Sequence, residues 1–374
     1  MKKIIFSTTH FNNIENGPAL FANLLFEETK HINNIDLRIL TEDIEENNTE
    51  IKLYKLNLKQ NIMNRFFYQL FRIRMYRDRA VEIAKYFSYD VLIYNNAFTG
   101  FLSAKASLTP VIVMLNDYNK LNFNNKRIRF NKAYFKNYVL QKLEKIAATK
   151  SSLVIVNSKF LMNLVIETYK IPKPKIKVLY KGINIKNYQY RLREKISSNI
   201  NILFIKGEFV NGGLYDLVDA ISKLKNRDIK LTVIGPREID LPKLKKYFKE
   251  KTISNFELLG PTKPEQLKKY FNKADIFCVP SHKEALGVAN MEALASGIPV
   301  ISTNVGGIPE VLDYGKCGWL VEPGDSSQLV EAINECIDNP KMRIKKSDYG
   351  YNFVQKFNSK NVISNFLKII DTVK

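Results

Sequence analysis

The chain has 374 residues, a mass of 43.3 kDa, 45% hydrophobic and 25% charged residues. That is the composition of a globular protein of two or three domains, and it excludes a disordered chain, a collagen-like fibre and a disulfide-stapled miniature. Fifty-eight Lys and Arg against 37 Asp and Glu give a net charge of +21, so the surface should attract anions: nucleic acid, an anionic membrane or phosphorylated small molecules.

In chain order, Lys3 to Ser7 is the first strand candidate, and Gly17-Pro18 opens a helical stretch to about His31. Strand candidates follow at Asp36–Thr41, Lys52–Leu56, Val91–Tyr94, Val111–Leu115, Leu153–Asn157 and Ile176–Tyr180, with helical stretches at Asn64–Phe87, Lys126–Lys150 and Lys159–Tyr169. From Lys181 to Asn199 the sequence is polar and aperiodic, and includes Tyr188 and Tyr190. The alternation then restarts. Strands are expected at Asn201–Ile205, Lys230–Ile234, Phe256–Leu259, Ile276–Val279, Pro299–Ser302 and Gly318–Val321. Helices are expected at Leu214–Leu224, Leu241–Glu250, Pro264–Phe271, Val288–Ser296, Ser326–Ile337 and Lys360–Thr372. Such alternation predicts parallel sheets covered by helices on both faces. The simplest reading is two doubly wound α/β domains, 1–188 and 189–358, with 359–374 as a final helix. Ligands are expected beyond the carboxyl ends of the strands and in the cleft between domains.

Cys278, Cys317 and Cys336 are sparse, lack metal-ligand spacing and read as buried thiols in a reducing compartment. The N-terminal apolar run, Ile4 to Phe6, is too short for a signal peptide. No run approaches the roughly 18 apolar residues of a membrane span. The expectation is a cytoplasmic protein that meets a membrane only from the side.

Residues 1–190 hold 30 basic and 15 acidic residues, so the N-terminal half carries most of the excess charge. Arg65, Arg72, Arg74, Arg77 and Arg79 are interleaved with Phe66, Phe67, Tyr68, Phe71 and Tyr76, and Lys120 to Lys150 holds nine basic residues against Glu144 alone. The basic-aromatic run is either a packed helix with a solvated cationic face or a contact with an anionic membrane. No zinc-knuckle, RNP-like or recognition-helix signature supports nucleic acid as a partner.

The stretch from Val279 to Val300 carries the most chemistry. A buried strand ends at Pro280, a polar loop follows with Glu284, and Gly287 lets the backbone approach a ligand closely. A helix starts there, so its free N–H groups and positive end suit a diphosphate. Glu292, just over a turn further on, can accept hydrogen bonds from a vicinal diol such as ribose. Each glutamate taken singly is ordinary surface or helix chemistry; the pair with its intervening glycine suits a nucleotide sugar.

This segment, with Ala293-Leu294-Ala295-Ser296-Gly297-Ile298-Pro299-Val300-Ile301 and Val305-Gly306-Gly307-Ile308-Pro309-Glu310, resembles the donor-site signature of the retaining family-4 glycosyltransferases (glycosyl transferases group 1) with the GT-B fold. The resemblance extends to Gly318–Asp325, to Phe256–Gly260 with Ala274-Asp275-Ile276 and, more loosely, to Val154–Ser158 and Val178–Asn184. It implies that Glu284 contacts the donor sugar, that Glu292 binds the ribose hydroxyls, and that the backbone at Leu286, Gly287 and Val288 meets the diphosphate and sugar. It implies that Gly17 approaches the diphosphate from the N-terminal domain and that Leu259, Gly260 and Pro261 read the base. The implied reaction is a metal-independent, retaining hexosyl transfer without further cofactor. The donor is a nucleotide-diphosphate sugar, a UDP-sugar being favoured. The acceptor is a glycan or lipid-linked glycan of cell-surface polysaccharide synthesis. The final helix is implied to return to the N-terminal domain, and closure about Lys181–Asn199 to exclude water.

Two positions depart from the family pattern. Relatives carry Arg, then Lys about five residues later, after a strand like Ile202–Ile205; here Gly207 and Gly212 stand there. Lys206 is the substitute cation, or the glycines turn backbone N–H groups onto phosphate. In the acceptor domain, Asn116-Asp117 and Asn95-Asn96 occupy sites where relatives place His. Asp117 either assists the acceptor or donor sugar or serves a turn. His10 is a cleft or surface residue. The alternative to a transferase is a catalytically silent GT-B protein that binds a partner.

Overall fold

Apolar runs bounded by polar turns fold as strands here, and the amphipathic stretches between them fold as helices. The computed structural model describes residues 1–12, 17–44, 52–56, 65–118, 132–224 and 227–373. Asn64 and Lys126 to Phe130, expected at helix starts, lie outside these residues, as do the side chains of Arg65, Phe66 and Phe67.

The chain divides into two units, Met1–Gly182 with Ser359–Lys374, and Ile183–Asn358. The first contains β1 (Lys2–Ser7), α1 (Gly17–Thr29), β2 (Ile35–Thr41), β3 (Leu53–Lys55), α2 (Arg65–Ala84), β4 (Val91–Tyr94), α3 (Phe101–Ala106), β5 (Val111–Leu115), α4 (Lys132–Lys150), β6 (Leu153–Val156), α5 (Lys159–Tyr169) and β7 (Ile176–Val178). Among the described residues these strands form one sheet in the order β3-β2-β1-β4-β5-β6-β7. Its pairs are parallel, with Ile4 opposite Leu37 on one side and Val91 on the other. Every residue of β4, β5 and β6 is buried, as expected of strands covered on both faces.

The second unit runs β8 (Asn199–Ile205), α6 (Leu214–Lys223), β9 (Asp228–Ile234), α7 (Leu241–Glu250), β10 (Phe256–Leu259), α8 (Pro264–Lys273), β11 (Ile276–Val279), α9 (Val288–Ala295), β12 (Val300–Thr303), α10 (Ile308–Val311), β13 (Gly318–Val321), α11 (Ser326–Asp338) and α12 (Pro340–Val354). The sheet order is β10-β9-β8-β11-β12-β13, again parallel. Helix α12 is an addition to the expected elements. Cys278, Cys317 and Cys336 are buried free thiols.

The final helix, α13 (Ser359–Asp371), belongs to the first unit. Its apolar face, Val362, Ile363, Phe366 and Ile370, joins the core of β1 and α1, where the Phe366 ring meets Phe6 and Phe21 edge-on at 6.2 and 5.5 Å.

By contacts the chain divides after Gly182, six residues before the expected 188/189 boundary, and the segment that follows packs on the second unit. Tyr190 stacks on Tyr351 at 3.8 Å and donates to Asp348. Buried Arg193 donates to the carbonyls of Ala274, Phe271 and Ser296. Burial lowers its pKa to about 10, and the carboxyl-terminal ends of α8 and α9, rather than a carboxylate, satisfy it.

Next to the boundary, Lys181 is buried, its Nζ has no hydrogen-bond partner, and it lies 4.4 Å from the centre of the Phe21 ring. Burial pushes its pKa down to about 7. The unfolded chain therefore holds a proton that the folded chain has lost between about pH 7 and 10, and stability rises with pH across that window. Lys181→Met is expected to stabilise the protein by roughly 2–4 kcal/mol at pH 7 and below. Thermal unfolding across pH should show that gain shrinking toward pH 10.

Candidate functional site

In the second sheet the strand order reverses between β8 and β11, the place where a doubly wound sheet opens a crevice at its carboxyl ends. Lys206 leaves β8 there, and the loop 280–287 leaves β11. The two meet. Lys206 Nζ lies 2.6 Å from Glu284 Oε2 and also donates to Ser281 Oγ and the Lys283 carbonyl, at 3.2 and 3.3 Å. Glu284 Oε1 accepts the backbone N–H groups of Ala285 and Leu286. In this arrangement the Leu286 N–H is turned to Glu284.

The family's second cation position explains the geometry of Lys206. A β-carbon on Gly212 would stand 2.8 Å from the Phe204 ring and 3.0 Å from Lys206 Cδ. The Lys206 stem fills the space that a side chain at 212 would need. Gly212 N–H donates to the Glu208 carbonyl and Gly213 N–H to that of Val210, so these donors close a turn and do not form an anion nest. Gly207 is exposed, and its β-carbon would approach the Gly235 carbonyl at 3.3 Å.

Glycines also hold the Glu284 loop. Gly306 has φ +60°, and a β-carbon on it would fall 1.7 Å from the Glu284 carbonyl oxygen; one on Gly307 would fall 2.3 Å from that of Ala285. Thr303 Oγ1 donates to the Ser281 carbonyl at 2.6 Å. Gly287, at φ +92°, precedes α9 without a side-chain cap, which leaves the first N–H groups of α9, including that of Val288, for a ligand.

Glu292 lies on α9 and is half-buried. Tyr188 Oη donates to its Oε1 at 2.7 Å. Burial raises the carboxyl pKa to about 7, with the tyrosine hydrogen bond acting against the rise. Leu259, Gly260 and exposed Pro261 end the edge strand β10, where the carbonyls of Leu259 and Gly260 share the Gly235 N–H.

The first unit has its own reversal, between β1 and β4. There a cavity of about 350 Å³ is lined by His10, Asn95, Asn116, Asp117 and Glu144, among others. Asn95, Asn116 and Asn157 follow β4, β5 and β6 and link in series: Asn157 Nδ2 donates to the Asn116 carbonyl, and Asn116 Nδ2 to the Asn95 carbonyl and Oδ1. Glu144 accepts from Tyr169 Oη at 2.8 Å. Asp117 is exposed at this cavity. Gly17 starts α1, with open space where its β-carbon would be.

Sequence reasoning missed Tyr188 as a partner of Glu292, the asparagine series, and the pairing of His282 with Asp216 at the start of α6. Each joins residues far apart in the chain. In α2 the described arginines meet carboxylates: Arg72 pairs with Glu42, Arg74 and Arg77 with Asp78, and Arg79 with Glu82. That is the packed-helix reading of the basic-aromatic run. Among the described residues no helix is long and apolar enough to cross a membrane.

Two family models match in tandem, Glycosyltransferase Family 4 over residues 36–187 and Glycosyl transferases group 1 over residues 189–353. An uncharacterized glycosyltransferase of Methanocaldococcus jannaschii is 29% identical over 61% of each chain, so the match spans less than two thirds of that relative. The capsular polysaccharide biosynthesis glycosyltransferase CapM of Staphylococcus aureus is 28% identical over 56% of this chain and 58% of its own. Among solved structures, Anabaena HepE in complex with UDP-glucose superposes with a TM-score of 0.78 at 16% identity, over 100% of each chain. That likeness is one of fold, the GT-B fold of two doubly wound units.

The raised Glu292 carboxyl gives a stability signature. It holds a proton in the folded state between the ordinary carboxylate range and about pH 7, so its contribution is favourable at low pH and is lost as pH rises through 7. Glu292→Gln should stabilise the protein by about 2 kcal/mol at pH 8, and less as the pH falls toward 5, in thermal unfolding.

Proposed function

The chain belongs to the family 4 glycosyltransferases of the group 1 type, and on that premise we propose that it moves a hexose from a nucleotide-diphosphate sugar to a glycan or lipid-linked glycan acceptor in cell-surface polysaccharide synthesis, with retention and without a metal. The observation that carries this reading is the Lys206–Glu284 pair at the strand reversal beside the start of α9. A cation and a helix amino end converge where a departing diphosphate would gather charge, and prearranged groups of that kind stabilise it most effectively. Glu284, held by Lys206 and its own loop, is the carboxylate proposed to meet a donor sugar hydroxyl. Ionised Glu292 accepts the ribose hydroxyls.

In the proposed step the bond from the anomeric carbon to the diphosphate oxygen breaks, and its electron pair stays on the diphosphate. The acceptor oxygen bonds to the anomeric carbon from the same face, and its proton passes to the leaving diphosphate. The cavity of Asn95, Asn116 and Asp117 is the proposed acceptor site, its amides and carboxylate suited to sugar hydroxyls. A UDP-sugar is the favoured donor, in keeping with the UDP-glucose held by HepE, and the polysaccharide setting follows the name of CapM. The intact Glu284–Glu292 segment disfavours a catalytically silent, partner-binding role.

A lipid-linked acceptor would bring the first unit to an anionic bilayer from the cytoplasmic side. The face proposed for that contact is on α4, where Phe135 and Tyr138 are exposed and Lys142 lies over the Tyr138 ring. α2 is less suited to it because its described arginines are already paired.

Thermal unfolding with UDP, GDP, ADP and CDP tests the donor reading. A nucleotide at 100 times its dissociation constant should stabilise by about 2.7 kcal/mol, and Lys206→Met and Glu292→Ala should each lose the response. No response to any of the four would remove the reading. With a responsive nucleotide's sugar, the product anomer should match the donor's by NMR; an inverted product would refute retention.

A further inference from the structure

We infer that Tyr188 is a positioning residue for Glu292, coupling the donor carboxylate to the chain segment that enters the second unit. Tyr188 follows a single helical turn, Ile185–Asn187, and its ring meets Phe271 of α8 edge-on at 5.6 Å. The hydroxyl reaches Glu292 Oε1 at 2.7 Å, across 104 positions of sequence. Neighbouring anchors, Tyr190 on Asp348 and Arg193 on the ends of α8 and α9, hold the segment in register.

The direction of the hydrogen bond is fixed. Burial and the nearby carboxylate raise the Tyr188 phenol pKa far above its ordinary value, so it keeps its proton and donates. Among the described residues it is the one titratable group that acts on Glu292. Two consequences follow. Oε1 is turned to the segment, and Oε2 keeps its lone pairs for ligand hydroxyls. The donated bond also favours the ionised carboxylate, the form that accepts two hydroxyl protons. A diol bound at Glu292 and the seating of Tyr188 then stabilise one another, since coupling through a shared group is reciprocal.

The ribose part of this inference rests on the donor reading above; the Tyr188–Glu292 link does not, and the experiment separates them. In unliganded protein, the difference in Tm between wild type and Glu292→Gln, followed across pH, reports where Glu292 titrates. The same difference is measured in a Tyr188→Phe background. The midpoint should move upward by roughly half a pH unit or more. A Tyr188→Phe protein that is less stable at every pH with the midpoint unmoved has lost packing only, and overturns the inference. UDP binding by calorimetry supplies the second arm. Tyr188→Phe should bind UDP at least about twofold more weakly than wild type at pH 7 and recover at pH 8.5, whereas Glu292→Gln should not recover. An equal loss for Tyr188→Phe at both pH values also overturns it. If the midpoint moves but UDP binds no variant, wild type included, the donor reading fails and the positioning role stands.

Discussion

Gly306 stands so close to the backbone of Glu284 that no side chain fits between them: a β-carbon would lie 1.7 Å from the Glu284 carbonyl. The rest of the proposed donor site depends on this approach. It brings the start of α10 against the loop 280–287, with Gly307 beside the Ala285 carbonyl. The loop so held turns the Glu284 carboxylate back onto its own N–H groups and onto Lys206. Gly287, left-handed and uncapped, can then end the loop and open α9 toward the same space. Gly306 and Gly307 are therefore packing requirements of a glutamate that adjoins them in space and lies more than twenty residues away in sequence.

The strands were legible because parallel strands covered on both faces must be continuous apolar runs; β4, β5 and β11 begin and end where those runs do. Helix α12 was not legible, for a physical reason. Its buried positions are Arg343, Ser347, Gly350 and Val354, a helical stripe with almost no hydrophobicity. Gly350 is there because Leu294 packs against it, and Arg343 because it donates to the carbonyls of Cys336, Ile337, Arg193 and Glu194. Of the proposed donor site, Glu284, Gly287, Glu292 and Lys206 could be singled out from local spacing. Tyr188 could not, because its role exists only once a segment read as an aperiodic linker lies on α8 and α9.

The net charge of +21 reads as a surface property, and the structure shows where that reading weakens. Arg193 and Arg343 are buried and satisfied by carbonyls at helix ends. Lys181 is buried without a hydrogen-bond partner, and the described arginines of α2 are balanced by acids beside them. Several cations that composition assigns to anion attraction are engaged in holding helix ends and the segment between the units. The charge that could meet a ligand has to be located residue by residue, and at the reversal of the second sheet the lysine present, Lys206, is itself paired with Glu284.

That lysine also bears on what the loss of the family's Arg and Lys means. A binding site needs a positive charge at a point in space, not at a place in the sequence. Gly212 removes the side chain that would occupy the space next to Phe204, and the stem of Lys206 occupies it instead, 3.0 Å from where the missing β-carbon would stand. Two lysines, at 206 and at 212, would exclude one another in this arrangement. The glycine at 212 and the lysine at 206 are thus one exchange rather than two separate changes. One ammonium group remains at the carboxyl end of β8, held 2.6 Å from Glu284, while the position usually held by arginine is left to Gly207. In the proposed reaction a single cation stands where relatives use two, so the amino end of α9 would carry more of the charge stabilisation than it does in a site with both.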